Sequence, residues 1–193
     1  MRKSVRLFLV IIIPVFANAQ AKISYAKSIG NTIINTLGDS LSPPGKPAKW
    51  TYGQDVVLQG MQGLWKATGD GKYFKYIQKS MDFFVDESGK IRTYAFGEFQ
   101  MDNIAPGRDL LFLYNVTGQK KYLEAVQTLR KQLASQPRIN EGGFWHKKIY
   151  PDQMWLDGLY MAEPFYVGYA NTFNEDTVYN DIARQSILLE KYA

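Results

Sequence analysis

The sequence predicts an all-α fold made of repeated helical hairpins, and three observations support this. Helical periodicity dominates the chain after residue 20, while the alternating pattern of β-strands is scarce. The segment 64–74 (LWKATGDGKYF) recurs as 113–123 (LYNVTGQKKYL), 49 residues later. A hydrophobic fraction of 46% over 193 residues is enough to build one packed core.

The N-terminus is predicted to be an export signal. Arg2, Lys3 and Arg6 precede the apolar run 7–16, and Ala17-Asn18-Ala19 offers small residues for cleavage before Gln20. The apolar run is about half of the ~20 residues needed to span a bilayer, so we expect no stable membrane anchor. We therefore predict a signal peptide over residues 1–19 and a mature chain that is periplasmic or secreted.

The composition argues against several classes of function. The net charge of +5 includes three basic residues of the signal, and without them 20 basic residues face 18 acidic ones, which leaves about +2. No basic patch remains to bind nucleic acid. The absence of cysteine excludes disulfides and thiolate chemistry, and a single histidine argues against a zinc centre. We expect neither a metal nor another cofactor.

The helices follow from the apolar periodicity and from breaks at glycine, proline and asparagine. The first precedes the Gly/Pro-rich segment 38–47, and the next two pairs each contain a Thr-Gly stop, in which the glycine is the C-cap. A weaker third copy runs from Tyr169 through Phe173 to Tyr179. The seven predicted helices cover residues 22–37, 54–67, 71–85, 104–116, 120–134, 153–172 and 175–191.

A hairpin of about 50 residues cannot bury its own apolar face, so such units stack as a solenoid or close into a ring. We favour an α/α toroid in which alternate helices form the inner wall and begin at the same end. Trp50 and Tyr52 lie before the second helix, Asp102 before the fourth and Asp157 in the opening turns of the sixth. These side chains are expected to meet at one end, where the helix dipoles favour an anionic ligand.

The segment 136–164 concentrates rings and polar groups. It holds the only histidine, His146, together with Trp145, Trp155 and Asp157. Aromatic faces pack on the C–H faces of sugars, and carboxylates bind their hydroxyls. The segment therefore predicts a carbohydrate site.

Asp157 is the leading candidate for a general acid. We expect Asp152 to be the N-cap of its helix, and we expect Met154 and Trp155 to shield the Asp157 carboxyl from water. Such burial would raise its pKa toward the range useful for proton donation. The alternative is an aspartate on the helix surface that pairs with a basic side chain.

The other candidates also have ordinary structural explanations. Asp102 could bind sugar hydroxyls or share the acid–base work, or it could be a helix N-cap. His146 could belong to the site or be a hydrogen-bonded structural histidine. Trp50, Tyr52 and Trp155 could line the site or be core rings.

Four segments, TYGQDVVLQGM, MDNIAPGRDLL, EGGFWHK and YPDQMWLDGLYMAEPF, resemble glycoside hydrolase family 105, the unsaturated glucuronyl and rhamnogalacturonyl hydrolases. The resemblance covers residues 50–165. It implies an (α/α)6 toroid and an enzyme that removes a terminal 4,5-unsaturated uronic acid from oligosaccharides made by polysaccharide lyases. By the same resemblance the catalytic residues are Asp157 and Asp102, and the substrate-binding residues are Trp50, Tyr52, His146 and Trp155.

A complete toroid of the resembled family has about twelve helices, and this chain has about seven. We therefore expect residues 20–193 to be the N-terminal half of the domain, an incomplete toroid with exposed apolar faces, poor solubility and weak activity. One alternative is a catalytically inactive half-toroid that only binds carbohydrate. Another is a toroid epimerase or lyase, which a single histidine disfavours because those chemistries usually rely on histidine or tyrosine bases.

Overall fold

A computed structural model describes the backbone of residues 9–192 and the side chains of residues 23–191. Within that range there is no β-strand beyond two isolated bridges, Val85 with Ile91 and Arg138 with Phe144. The predicted all-α class is confirmed. The helices are α1 (Leu9–Leu37), α2 (Tyr52–Thr68), α3 (Gly71–Phe84), α4 (Gly107–Thr117), α5 (Lys120–Ser135), α6 (Leu156–Phe173) and α7 (Tyr179–Tyr192).

The hairpin repeat is visible in the helix ends. α2, α4 and α6 each stop at a residue in the left-handed conformation, namely Gly69 (φ 67°), Gly118 (φ 66°) and Asn174 (φ 57°). In each case the backbone N–H of that residue donates to the carbonyl four residues earlier. Glycine tolerates this conformation best and asparagine next best, which explains why the third copy of the repeat looked weaker in the sequence.

Two helices that lead to the candidate site begin later than predicted. α4 begins at Gly107, because residues 101–103 form a separate 3-10 turn and Pro106 disfavours helical geometry at the residue before it. α6 begins at Leu156, with Trp155 in the N-cap position and no side-chain cap. The prediction that Asp152 is the N-cap was wrong, because its φ of 59° turns the chain ahead of the helix.

The helices form two layers. α4 packs against both α2 and α6, so these three lie side by side, while α3, α5 and α7 each pack on the helix that precedes them. The large apolar residues are buried between the layers, among them Tyr73, Phe84, Tyr122, Leu129 and Phe165. α4 and α6 approach very closely at Gly107, where a Cβ would lie 2.5 Å from Cδ2 of Phe165.

The N-terminal helix α1 packs on α2, and a Cβ on Gly30 would lie 2.6 Å from Cδ1 of Leu64. Residues 1–8 of the predicted signal peptide lie outside the described residues, and only the backbone of its residues 9–19 is described. Over the described range, no helix is both long and apolar enough to cross a membrane. The signal, its cleavage and export stay predictions.

Candidate active site

His146 lies between two carboxylates, one from each of two neighbouring segments. Its Nε2 is 3.6 Å from Oδ1 of Asp102, and its Nδ1 is 3.8 Å from Oδ1 of Asp157. The imidazole side chain is only 4% exposed, whereas that of Asp157 is 50% exposed. The fold thus brings together three predicted site residues that span 55 positions of the chain.

The backbone around His146 fixes its position. The His146 N–H donates to the carbonyl of Gln153 (2.8 Å), and its carbonyl accepts from the N–H of Met101 (3.0 Å). The amide of Gln136 donates to the carbonyls of Phe99 (2.7 Å) and Trp145 (2.8 Å). These bonds tie the loop before α6 to the turn that carries Asp102.

Aromatic stacking fixes the plane of the imidazole. The Trp155 ring stacks on His146 with a centroid distance of 4.2 Å and an angle of 8°, and Tyr150 stacks on Trp155 at 5.1 Å. The Trp155 indole N–H donates to Oε1 of Gln153 (3.1 Å). Because Trp155 keeps part of its surface exposed, it presents a ring beside the carboxylates.

Asp157 is the second residue of α6, and its half-exposed carboxyl contradicts the expectation of burial. Met154 lies before the first residue of α6, so it does not share a helical face with Asp157 as predicted. Leu156 and Tyr160, which lie near Asp157 in α6, are also exposed. In the described structure the Asp157 carboxyl meets solvent on one side and His146 on the other.

Asp102 is the middle residue of the 3-10 turn 101–103, and Pro106 is the residue that precedes α4. The alternative explanation of Asp102 as an N-cap is therefore wrong. Its Oδ2 accepts a hydrogen bond from the amide of Gln100 (3.0 Å), while Oδ1 faces His146. The side chain is 20% exposed, so one side remains open to a ligand.

The two N-terminal ring candidates differ. Trp50 is buried in the core with 3% exposure, and its indole N–H donates to the carbonyl of Asn103 (2.8 Å). The prediction that its ring lines the site was therefore not met in this structure: Trp50 supports the turn of Asp102 from behind. Tyr52, the first residue of α2, is exposed near that end.

Sequence reasoning missed a charged cluster that joins the three parallel helices. Asp55 of α2 is fully buried and bound at both oxygens by Arg108 of α4, with Nε–Oδ1 at 2.8 Å. The guanidinium lies 4.9 Å from the ring centroid of Tyr160 on α6. A signal existed in the sequence, because α2, α4 and α6 each carry an aspartate in the first turn: Asp55, Asp109 and Asp157.

Asp109 is fully buried, as Asp55 is. Its Oδ1 accepts from Gln59 and Gln62, each at 3.0 Å, and its Oδ2 has no hydrogen-bond partner. Burial, with the nearby charge of Asp55, holds the pKa of Asp109 well above its usual range. Its hydrogen bonds to two glutamines of α2 give the carboxyl a structural role between α2 and α4.

Sequence reasoning also missed Glu163, which lies on α6 beneath the site. It is buried and neither carboxyl oxygen has a hydrogen-bond partner. Burial, together with the charge of Asp181 and against that of Arg138, raises the pKa of Glu163 to about 8. A helical sequence gives no signal for this, because only packing decides which face of α6 is covered.

The central trio could in principle hold a cation, since one donor atom from each of Asp102, His146 and Asp157 lies within 4.8 Å of the others. Each imidazole nitrogen also faces a different carboxylate, so the two carboxylates flank one ring. Two carboxylates bridged by an imidazole can bind hydroxyls and transfer protons, which is the chemistry of an acid–base site.

The described helices form an incomplete α/α toroid of helical hairpins, with two carboxylates, an imidazole and a stacked indole at one end. The chain matches Glycosyl Hydrolase Family 88 over residues 25–193. It belongs to that family.

Individual relatives agree with this assignment. The chain is 25% identical over 142 residues to the unsaturated rhamnogalacturonyl hydrolase YesR of Bacillus subtilis (strain 168), a match covering 70% of this chain and 39% of YesR. It is 37% identical to a solved glycoside hydrolase from family 105 of C. acetobutylicum ATCC 824, with a TM-score of 0.75 over 84% of this chain and 44% of the other. The resemblance to family 105 is confirmed. The chain spans less than half the length of either relative.

Proposed function

We propose that this chain carries the acid–base part of a site that removes a terminal 4,5-unsaturated uronic acid from lyase-generated oligosaccharides of the pectin or rhamnogalacturonan type. The observation that carries the proposal is the placement of Asp102 and Asp157 on opposite edges of one buried imidazole, beside the partly exposed side chain of Trp155. The similarity to the unsaturated rhamnogalacturonyl hydrolase YesR supports the substrate class.

Asp157 is the proton donor in this proposal. Its carboxyl is open to solvent, so a ligand can reach it, and it stands in the first turn of α6. Protonation of C4 breaks the C4–C5 double bond and leaves a cation at C5 that the ring oxygen stabilises. Water then adds at C5 and returns a proton to the Asp157 carboxylate. The hemiketal opens to a ketone, and the hemiacetal left at C1 releases the next sugar.

Asp102 and Trp155 position the sugar. Asp102 has one oxygen held by Gln100, and its remaining surface can accept hydrogen bonds from ring hydroxyls. The part of the Trp155 indole that stays exposed can contact C–H groups of the sugar. His146 sets the spacing of the two carboxylates, and Tyr52 contributes an exposed ring from α2.

The test follows absorbance of the conjugated uronate in an unsaturated disaccharide after addition of the chain. Loss of the double bond should decrease this absorbance. Asp157→Asn should abolish the decrease in absorbance and Asp102→Asn should slow it, because general acid–base catalysis is typically worth about 10²- to 10⁴-fold. Asp176→Asn, at an exposed aspartate in the turn before α7, is the matched control and should keep wild-type turnover. Turnover by Asp157→Asn at the wild-type rate would remove Asp157 from the reaction.

A second candidate is a carbohydrate-binding protein without turnover. The exposure of Asp157, Tyr160 and Leu156 favours it, because an open site does not exclude water from the reacting groups. Calorimetry with the same disaccharide distinguishes the two. Binding that requires Trp155 and Asp102, without any change in absorbance, would support this second candidate over the hydrolase.

A further inference from the structure

A small cavity lies between the site and α7, lined by two groups that lack hydrogen-bond partners. Nδ1 of His146 and both carboxyl oxygens of Glu163 are buried and unpaired. Both residues line the cavity, together with Gly158, Trp155 and Gln185. Buried polar groups in proteins are almost always hydrogen-bonded, so two unpaired groups on one cavity point to a shared partner.

The cavity is the right size for that partner. Its volume of about 10 Å³ is close to what the centre of one water molecule needs. Gln185 cannot fill the role, because its Oε1 accepts from the N–H of Phe144 (2.8 Å) and its Nε2 donates to Gly142 and Asp181. Glu163 and Nδ1 of His146 are therefore the lining groups left to bind a water.

We propose that Glu163 is a positioning residue of the site: as a neutral carboxylic acid it donates a hydrogen bond, through one water in this cavity, to Nδ1 of His146. An Nδ1 that accepts a hydrogen bond leaves the proton of the neutral imidazole on Nε2, which faces Asp102. The imidazole then donates to Asp102 and does not compete for the proton that Asp157 must supply. Only the consequence for proton donation by Asp157 rests on the proposed function.

The charges around both groups are consistent with a neutral Glu163. Asp181 of α7 raises the pKa of Glu163, Arg138 of the loop before α6 lowers it, and burial has the largest effect, giving about 8. His146 faces Asp102 from the turn before α4 and Asp157 from α6. Arg108 of α4 contacts Tyr160 and is paired with Asp55.

Ionisation of Glu163 reverses the hydrogen bond. A carboxylate only accepts, so the bridging water then donates to Glu163 and accepts from the ring, which favours the proton on Nδ1. The site should therefore change imidazole tautomer as the pH rises through about 8. In a working hydrolase the change would lower kcat above that pH, because Nδ1 faces Asp157.

The test uses the fact that the chain has a single histidine. Long-range ¹H–¹⁵N spectra of the uniformly labelled chain report the ring tautomer without substrate. The wild type should show the Nε2–H form at about pH 7 and a shift toward Nδ1–H with a midpoint near 8. Glu163→Gln keeps an N–H donor and should retain Nε2–H without the midpoint, while Glu163→Met should populate Nδ1–H already at neutral pH.

Glu190→Gln, at an exposed glutamate of α7, is the matched control and should behave as wild type. Retention of the wild-type midpoint in Glu163→Gln, or of pure Nε2–H in Glu163→Met, would overturn the proposal. Infrared spectra of the wild-type chain with ¹³C-labelled glutamate give a check that needs no variant, since one protonated carboxyl should be present at neutral pH and disappear above about 8. If every glutamate is ionised at neutral pH, the proposal fails. An intact tautomer pattern in a chain without turnover would refute the function and leave this inference standing.

Discussion

The buried pair of Asp55 and Arg108 allows a quantitative prediction. Asp55 is fully buried, and both of its oxygens are bound by Arg108, whose guanidinium is also covered by Tyr160. Arg108→Met removes the partner and leaves a buried carboxylate next to Asp109. Breaking a buried pair on one side typically costs about 3–5 kcal/mol, which is a large share of the roughly 5–15 kcal/mol that stabilise a domain.

The double variant Asp55→Leu/Arg108→Met should recover most of that loss. It removes both charges together, and replacing a buried pair by apolar residues is often neutral. Burial raises the pKa of Asp55 even with Arg108 in place, so in Arg108→Met the carboxyl should take up a proton more readily. A carboxyl with a raised pKa in the folded state stabilises at low pH and loses that contribution as the pH rises. The deficit of Arg108→Met should therefore shrink on acidification.

Urea unfolding followed by circular dichroism measures these free energies. Arg130→Met is the matched control, because Arg130 forms a pair with Glu175 (2.9 Å) that is partly exposed and should be worth about 1 kcal/mol or less. A loss of less than about 1 kcal/mol in Arg108→Met would refute the reasoning. So would a double variant that is as unstable as the single one.

Three further predictions concern Glu163, Gly107 and the hairpin stops. The pKa of Glu163 is raised from 4.5 to about 8, so the free energy of unfolding should fall as the pH rises through this range. At about 1.4 kcal/mol per pKa unit, the decrease is at most about 5 kcal/mol. Glu163→Gln should remove this dependence on pH. Gly107→Ala should cost about 1–3 kcal/mol in chemical denaturation, because the new Cβ would lie 2.5 Å from the Phe165 ring. Gly69→Ala and Gly118→Ala should each cost about 1–2 kcal/mol, since both glycines are left-handed with open space around them.

Each of these has its own check. A Glu163→Gln variant with the wild-type pH slope would show that another group is responsible. Gly63→Ala, in the exposed interior of α2 with no atom near its Cβ, should stabilise by up to about 1 kcal/mol and calibrates the glycine series. Equal effects at Gly63 and Gly69 would argue against backbone conformation as the cause.

Much of the fold could be predicted because the sequence signals of a helix are local. Apolar periodicity and the stops at Gly69, Gly118 and Asn174 were enough to predict seven helices and their pairing, since each signal depends on residues within a few turns. The starts of α4 and α6 were harder. There the chain approaches through irregular turns whose geometry is fixed by distant contacts, such as the bond from Met101 to His146.

The proximity of several candidate residues was predicted, whereas their environment was predicted only in part. The sequence by itself determined, through the repeat spacing, that Asp102 and Asp157 lie at one end of the helices, and the resemblance to a hydrolase family added His146 and Trp155. Only the tertiary structure decided which groups are covered: Asp157 is open, Trp50 is buried behind the turn of Asp102, and Glu163 is enclosed without a partner. The physical reason is that burial depends on which helix faces meet, and residues far apart in the chain set those contacts and with them the charge state of each acid.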